Sequence, residues 1–295
     1  MKTYLNNLIN ELPTNCLFDK GKVGCGGTSM AIECDKPYVI CVPFTSLVEN
    51  KTQQYPNERR KEKIFGVYAG VTIKEIKDYV DSVKCPKIIV TYNSLPKVIS
   101  AVNTKEYSLL VDEYHILFNQ YSFRKDAIKP VLENYTLFKD FTFMTATPLE
   151  EEFVLDELKD LELVKQEWDD VIETKVQAVK CKNVEASTIK LINAVLNNQV
   201  EGNVYIFVNS VDFIKNLIQK AKLTEDNTRV IYSKNNKTKL SIHNSTVLDE
   251  PKKINLLTST VFEGSDIYDE NGRIIVVSDS SKAQTLLDIS TSIQQ

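Results

Sequence analysis

NCLFDKGKVGCGGTSMAIEC, residues 15–34, decides how this chain is read. The apolar run Asn15–Phe18 predicts a β-strand, the glycines after it a tight loop, and MAIEC the opening of a helix. A phosphate-binding loop needs glycines so that backbone N–H groups can face the phosphates. It also needs a helix N-terminus behind it and a Ser or Thr hydroxyl for Mg²⁺. The pattern G-x-x-x-x-G-K-[ST] is met at Gly21, Gly26 and Thr28, and it fails where Gly27 stands in place of the lysine. By itself the loop reads equally well as an ordinary glycine-rich turn.

Outward from this stretch, short apolar runs alternate with helical patterns, as in βα units on a parallel sheet. Strands are predicted at Asn15–Phe18, Tyr38–Val42, Ile64–Tyr68, Lys87–Thr91, Ser108–Val111 and Phe141–Thr145. Most are continuous rather than alternating, as expected where helices cover both faces. After Pro148 the composition shifts. Residues 149–169 are acidic, hold the sole Trp of the chain, and are predicted to form a helix and connector. The alternation then resumes, with strands predicted at Lys175–Val179, Val204–Val208, Arg229–Tyr232, Ile254–Thr258 and Arg273–Val277. Helices are predicted near Ala186–Asn197 and Val211–Lys222, and a polar surface loop at Ser233–Ser245. The expected architecture is α/β, with one domain over 1–148, the connector 149–169 and a second domain over 170–295.

At 295 residues, with 42% hydrophobic and 26% charged residues, the chain has material for two ordinary globular cores. No apolar run approaches the roughly 18 residues of a membrane span. The N-terminus has Leu5, Leu8, Ile9 and Leu12 at helical spacing but no apolar block of a signal peptide. The chain is therefore expected to be soluble and cytoplasmic. Six cysteines without a CxxC pair read as small buried hydrophobes rather than disulfides or zinc ligands. With His115 and His243 as the only histidines, a His-rich metal centre is excluded. Residues 1–150 carry 19 Lys and Arg against 17 Asp and Glu (+2), and residues 151–295 carry 17 against 23 (−6). That is not the strongly basic footprint of a dedicated nucleic-acid-binding module, although a local basic groove can hide inside an acidic total. The densest basic run, Asn57–Lys63, reads as a solvated helix face.

Ligands of open α/β sheets sit at the carboxyl ends of the strands. The run ending at Val111 is followed there by Asp112-Glu113-Tyr114-His115, and the run ending at Thr145 continues into Ala146 and Thr147. An acidic pair after a buried strand suits Mg²⁺ binding by the first carboxylate and water activation by the second. Acidic pairs are common, and the order of the motifs is what makes this one specific. These residues together resemble the superfamily 2 (DExH-type) helicases and translocases. Gly24–Ser29 is similar to motif I, Val42–Thr45 to motif Ia, and Thr91–Ser94 to the nucleic-acid-contacting motif after the next strand. Asp112–His115 resembles the DExH form of motif II, and Thr145–Thr147 resembles motif III. In the second half, Phe207–Ser210 resembles motif IV and Leu257–Ile267 motif V.

The resemblance implies two tandem RecA-like parallel-sheet domains with a nucleotide cleft between them, and ATP and Mg²⁺ as cofactors. It implies that Gly24, Gly26, Gly27, Thr28 and Ser29 cradle phosphates, that Thr28 and Asp112 hold Mg²⁺, and that Glu113 orients the attacking water. His115, Thr145, Ala146 and Thr147 would couple nucleotide state to closure. Glu263, Gly264 and Asp266 would face the nucleotide from the second domain. Thr45, Thr91, Tyr92, Asn209 and Thr260 would touch single-stranded DNA or RNA. Two fixed cations depart from the pattern. The motif I lysine is replaced by Gly27, for which Lys22, six residues before Thr28, is a candidate substitute. The arginines of motif VI would begin where Gln295 stands, so the chain is expected either to continue beyond it or to lack them. The implied function is ATP-dependent remodelling of, or translocation on, nucleic acid. The rival is a degenerate helicase fold that binds without turnover. High Asn, Lys and Ile content points to an AT-rich genome, hence a phage or mobile element with replication proteins as partners. Strands ending at Phe18, Val111 and Thr145 should be parallel neighbours, bringing Thr28 close to Asp112.

Overall fold

Apolar runs that bury both faces build the first sheet. The structure, a computed structural model, describes residues 3–119, 121–148, 150, 154–169, 176–233, 236–247, 249–258, 261, 267, 269–282 and 285. The chain divides into two compact units, Met1–Glu173 and Thr174–Gln295. In the first, β1 (Cys16–Asp19), α1 (Gly27–Glu33), β2 (Tyr38–Val42), α2 (Thr45–Gln54), β3 (Phe65–Val67) and α3 (Ile73–Ser82) come first. They are followed by β4 (Lys87–Thr91), α4 (Leu95–Ile99), β5 (Ser108–Asp112), α5 (His115–Asn119), α6 (Tyr121–Asn134), β6 (Asp140–Thr145) and β7 (Leu163–Lys165). The sheet order is β3-β4-β2-β5-β6-β1-β7, parallel throughout. β5, β6 and β1 are neighbours, as the sequence predicts.

Every residue of β2, β4 and β5 is buried, because helices cover both faces. Leu17, Val39, Val90, Leu109 and Phe143 enter one apolar cluster, and Phe18, Ile40, Ile89, Leu110 and Met144 enter the other. β5 and β6 lie between β1 and β2, so α1 crosses the sheet over them and begins against their carboxyl ends. Its far end is held from below. Buried Lys87 donates to Ala31 O at 2.7 Å and to Lys36 O, and buried Arg60 donates to Ile32 O at 3.4 Å and Cys85 O at 2.7 Å.

The second unit contains α7 (Val184–Leu196), β8 (Val204–Phe207), α8 (Val211–Lys220), β9 (Thr228–Ile231), β10 (Ile254–Leu257) and β11 (Arg273–Val276). Its described strands form a parallel sheet in the order β11-β8-β10-β9. Phe213, Ile214, Leu217 and Ile218 form the helical stripe of α8 that packs on it, and Ser210 caps that helix by accepting from Phe213 N at 3.2 Å.

Three expectations are corrected. Residues 154–169 form no helix. They make a 3₁₀ turn at Asp156–Leu158 and then β7, which pairs with β1 in the register Leu17↔Leu163. β7 lies at the sheet edge with Leu163 and Lys165 exposed, so acidic flanks are tolerated there. The strand predicted at Lys175–Val179 does not form over 176–179, where Val176 and Val179 lie open to solvent with no described strand beside them. The Asn57–Lys63 run is not a helix either. Asn57 Oδ1 accepts from Arg59 N and Arg60 N to make a local turn that drives Arg60 inward. At the N-terminus the helical spacing yields a single 3₁₀ turn, Leu5–Asn7, that buries Leu5 and leaves Leu8 exposed. No helix among the described residues is long and apolar enough to cross a membrane.

Candidate functional site

β1 delivers the chain to the carboxyl edge of the first sheet. Lys20 N donates to Thr145 O at 2.8 Å, extending the β1–β6 ladder by one residue. The loop that follows is shaped by glycine. Gly26 caps α1 in the left-handed region (φ 88°), which a side chain rarely tolerates. Gly27 opens the helix where a Cβ would stand 2.6 Å from Met144 Sδ. A side chain at position 27 would therefore have to displace the end of Met144.

Thr28 then points at β5, and its Oγ1 donates to Asp112 Oδ2 at 2.6 Å. Asp112 is the last residue of β5, and its own Oδ1 accepts from Glu113 N at 3.1 Å. Glu113 has φ 53°, the left-handed region for a residue with a Cβ. Such backbone persists only where its surroundings over-determine it. Here the turn aims the carboxylate back over the strand ends. Glu113 Oε1 accepts from Lys20 Nζ at 3.0 Å, and Oε2 lies 3.3 Å from His115 Nδ1 and 3.4 Å from Thr145 Oγ1. His115 Nδ1 and Thr145 Oγ1 are 2.8 Å apart, and Thr145 Oγ1 also accepts from Thr147 N at 3.1 Å. Thr28, Asp112, Glu113, His115, Thr145 and Thr147 thus form one connected network between the start of α1 and the ends of β5 and β6, with buried Ala146 between the two threonines.

Burial pushes the Asp112 carboxyl above its ordinary range, opposed by Lys20 and reinforced by the charge of Glu113. Burial also works against the Lys20 ammonium, but Glu113 and Asp112 outweigh it and its pKa is raised. Lys20 therefore stays charged although only 5% exposed.

Lys22, the sequence candidate for the missing cation, sits with Nζ 4.6 Å from the centre of the Trp168 ring. Gly24 and Gly26 are in the loop, and Ser29, one residue further along α1, bonds Tyr55. Thr45 is exposed at the start of α2, just past β2. Thr91 and Tyr92 are both buried. Thr91 Oγ1 donates to Ser94 Oγ at 3.0 Å just past β4, and Tyr92 OH donates to Asp112 O at 2.7 Å, bracing the end of β5. Asn209 follows β8, next to the Ser210 cap. Thr260, Glu263, Gly264 and Asp266 lie outside the described residues.

Sequence reasoning missed Lys20 and Trp168. The signal for Lys20 was strand alternation. Cys16 and Phe18 face the cluster beneath α1 while Leu17 faces away, and two residues on from Phe18 the same face receives Lys20. Trp168, read only as part of an acidic connector, donates from Nε1 to Lys20 O at 2.7 Å and packs where a Gly21 side chain would be.

The donor set at Thr28 and Asp112, one hydroxyl and one carboxylate, is that of a hard divalent cation. Mg²⁺ on a phosphate ester takes one or two carboxylates and completes its shell with water and phosphate.

No family model matches this chain, and no curated protein matches it. Solved structures do. S. cerevisiae Dbp5 bound to RNA and ADP BeF3 is 14% identical, with a TM-score of 0.63 over 96% of this chain and 75% of that one. The Escherichia coli DEAH/RHA helicase HrpB is 14% identical, with a TM-score of 0.52 over 86% of this chain and 33% of that one. At this identity the likeness speaks to the fold, and the α/β fold is shared with these helicases.

Proposed function

We propose that this chain is a helicase-like protein of superfamily 2 that binds ATP with Mg²⁺ and couples it to single-stranded DNA or RNA through two RecA-like domains. The observation that carries the reading is the 2.6 Å contact between Thr28 and Asp112, made across 84 residues of sequence, with Glu113 in the same network. Thr28 and Asp112 would hold Mg²⁺, which when bound supplies charge neutralisation at the transferring phosphoryl group. Glu113 orients the attacking water, and its bent backbone turns the carboxylate toward the strand ends. His115 and Thr145 bind the carboxylate's other oxygen, so a shift in the segment after β6 would be felt at Glu113. That the solved relative Dbp5 was captured with RNA and ADP BeF3 supports both ligands.

The second reading, binding without turnover, is favoured by one observation: Gly27 brings no cation to the phosphates. The test is calorimetric titration of the purified chain with Mg²⁺·ATP, followed by hydrolysis assays with and without single-stranded DNA and RNA. Binding that is lost in Asp112→Asn and Thr28→Ala, with nucleic-acid-stimulated turnover lost in Glu113→Gln, is the expected outcome. Binding with no turnover under any condition selects the second reading. A wild-type chain that binds no nucleotide overturns both.

A further inference from the structure

Lys20 is held in place before any ligand arrives. Its backbone N–H donates to Thr145 O at 2.8 Å, and its carbonyl accepts from Lys22 N at 2.8 Å and Trp168 Nε1 at 2.7 Å. With the main chain fixed on both sides, the side chain leaves from a defined point at the end of β1. Its Cδ passes 3.5 Å from the position a Cβ on Gly27 would occupy. A residue-27 side chain would also meet Met144 Sδ at 2.6 Å and Cε at 3.0 Å. A side chain at position 27 would thus start out against the end of Met144 and beside the stem of Lys20. The ammonium emerges 3.0 Å from Glu113 and 3.7 Å from Asp112.

From this geometry we infer that Lys20 is the phosphate-binding cation of the site, supplied from the end of β1 in place of a lysine at position 27. The inference rests on reading the site as a nucleotide site. An ammonium carries three donors, of which Glu113 takes one, and Asp112 lies beyond hydrogen-bond distance. Donors remain for a phosphate oxygen. A buried ion pair by itself is a weak source of stability, because desolvation offsets the attraction. Two adjacent carboxylates against one amine also leave a net negative pocket, which a divalent cation would balance while the amine turns to phosphate. Lys22 is the competitor, and its amine rests on the Trp168 ring instead.

Calorimetric titration of wild type, Lys20→Met and Lys22→Met with ATP, ADP and AMP, each with Mg²⁺, separates the possibilities. Lys20→Met should weaken ATP and ADP by about tenfold to a hundredfold, the range for a lost hydrogen bond to a charged group, and leave AMP within about twofold. A purely structural lysine would weaken all three alike, and that result overturns the inference. So does a loss in Lys22→Met that equals or exceeds the loss in Lys20→Met. Because Lys20→Met strands two carboxylates, the double variant Lys20→Met/Glu113→Gln restores the charge balance, and thermal melting without ligand checks its fold. The preference for ATP over AMP should stay collapsed in that variant, and its return refutes the assignment. Failure of the nucleotide-site reading shows separately, as a wild-type chain that binds none of the three.

Discussion

The two edges of the first sheet each bury a lysine, and they use it in opposite ways. At the amino edge, Lys87 opens β4 and donates to carbonyls in and just past the last turn of α1, with Cys34 Sγ at 3.1 Å and no carboxylate among its described partners. Burial lowers its pKa, and nearby Arg60 pushes it the same way while the Cys34 and Cys85 thiols oppose. At the carboxyl edge, Lys20 faces two carboxylates and its pKa is raised. Burial is the same, and so is the residue type. What differs is whether the partners are neutral oxygens that need a donor or charges that need a counter-ion. The first arrangement finishes a helix. The second keeps like charges together where ligands of such sheets bind. Buried polarity alone therefore does not mark a site. Charge held in place against its own cost does.

The contrast can be broken most directly at Glu113. Glu113→Gln should lower nucleotide hydrolysis by about 10² to 10⁴, the usual worth of a positioned acid or base. Single-turnover assays that find less than a threefold change would falsify its assignment to water.

Lys87 tests the other edge. Lys87→Met leaves the carbonyls of Ala31 and Lys36 without this donor in a buried setting, so urea unfolding should show a loss of about 2–4 kcal/mol. The pH dependence has a definite sign. A lysine whose pKa is lowered by folding binds fewer protons folded than unfolded, so stability rises with pH between the two values. Relative to Lys87→Met, the wild type should gain stability as pH climbs toward 10.5, the ordinary lysine value. A flat difference would mean that Lys87 is charged in both states and that the two edges are alike.

Gly27→Ala should cost about 1–3 kcal/mol in melting experiments, because its Cβ overpacks against buried Met144. The companion change Met144→Ala should recover part of the loss. Recovery fails if the strain lies elsewhere in the loop. By the same reasoning Gly27→Lys, which the sequence alone commends as a repair, should not raise nucleotide affinity while Met144 and the stem of Lys20 lie against it. The smallest effect belongs to Tyr92→Phe, which removes the hydroxyl donating to Asp112 O and should cost about 1 kcal/mol of stability by urea titration. A much larger loss would give Tyr92 more than bracing to do.

The strands at Tyr38–Val42 and Lys87–Thr91 were legible to the residue, because a run buried on both faces is continuous and its ends are abrupt. β7 was not, since an edge strand of three residues with exposed Leu163 carries neither length nor apolar density. Thr28, Asp112 and Glu113 could be named from motif order, whereas Lys20 could not. A motif assigns the cation to a sequence position, but chemistry asks only that an ammonium reach a point in space. Strand alternation from β1 reached it from seven residues upstream of Gly27. The role that the motif implies for Tyr92 did not foretell that its hydroxyl braces the end of β5.

Trp168 is the sole tryptophan of the chain, and its indole donates to Lys20 O while its ring lies against Gly21 and Lys22. An indole's emission reports on its hydrogen bond and on charges beside its ring. The protein thus carries its own optical reporter on the loop that precedes Thr28, with no second tryptophan to confuse the signal. Any movement of residues 20–22 that breaks the bond or lifts the Lys22 ammonium should change the colour or intensity of that light. The loop can then be followed in real time, in unlabelled protein, on the millisecond scale of a stopped-flow mixer.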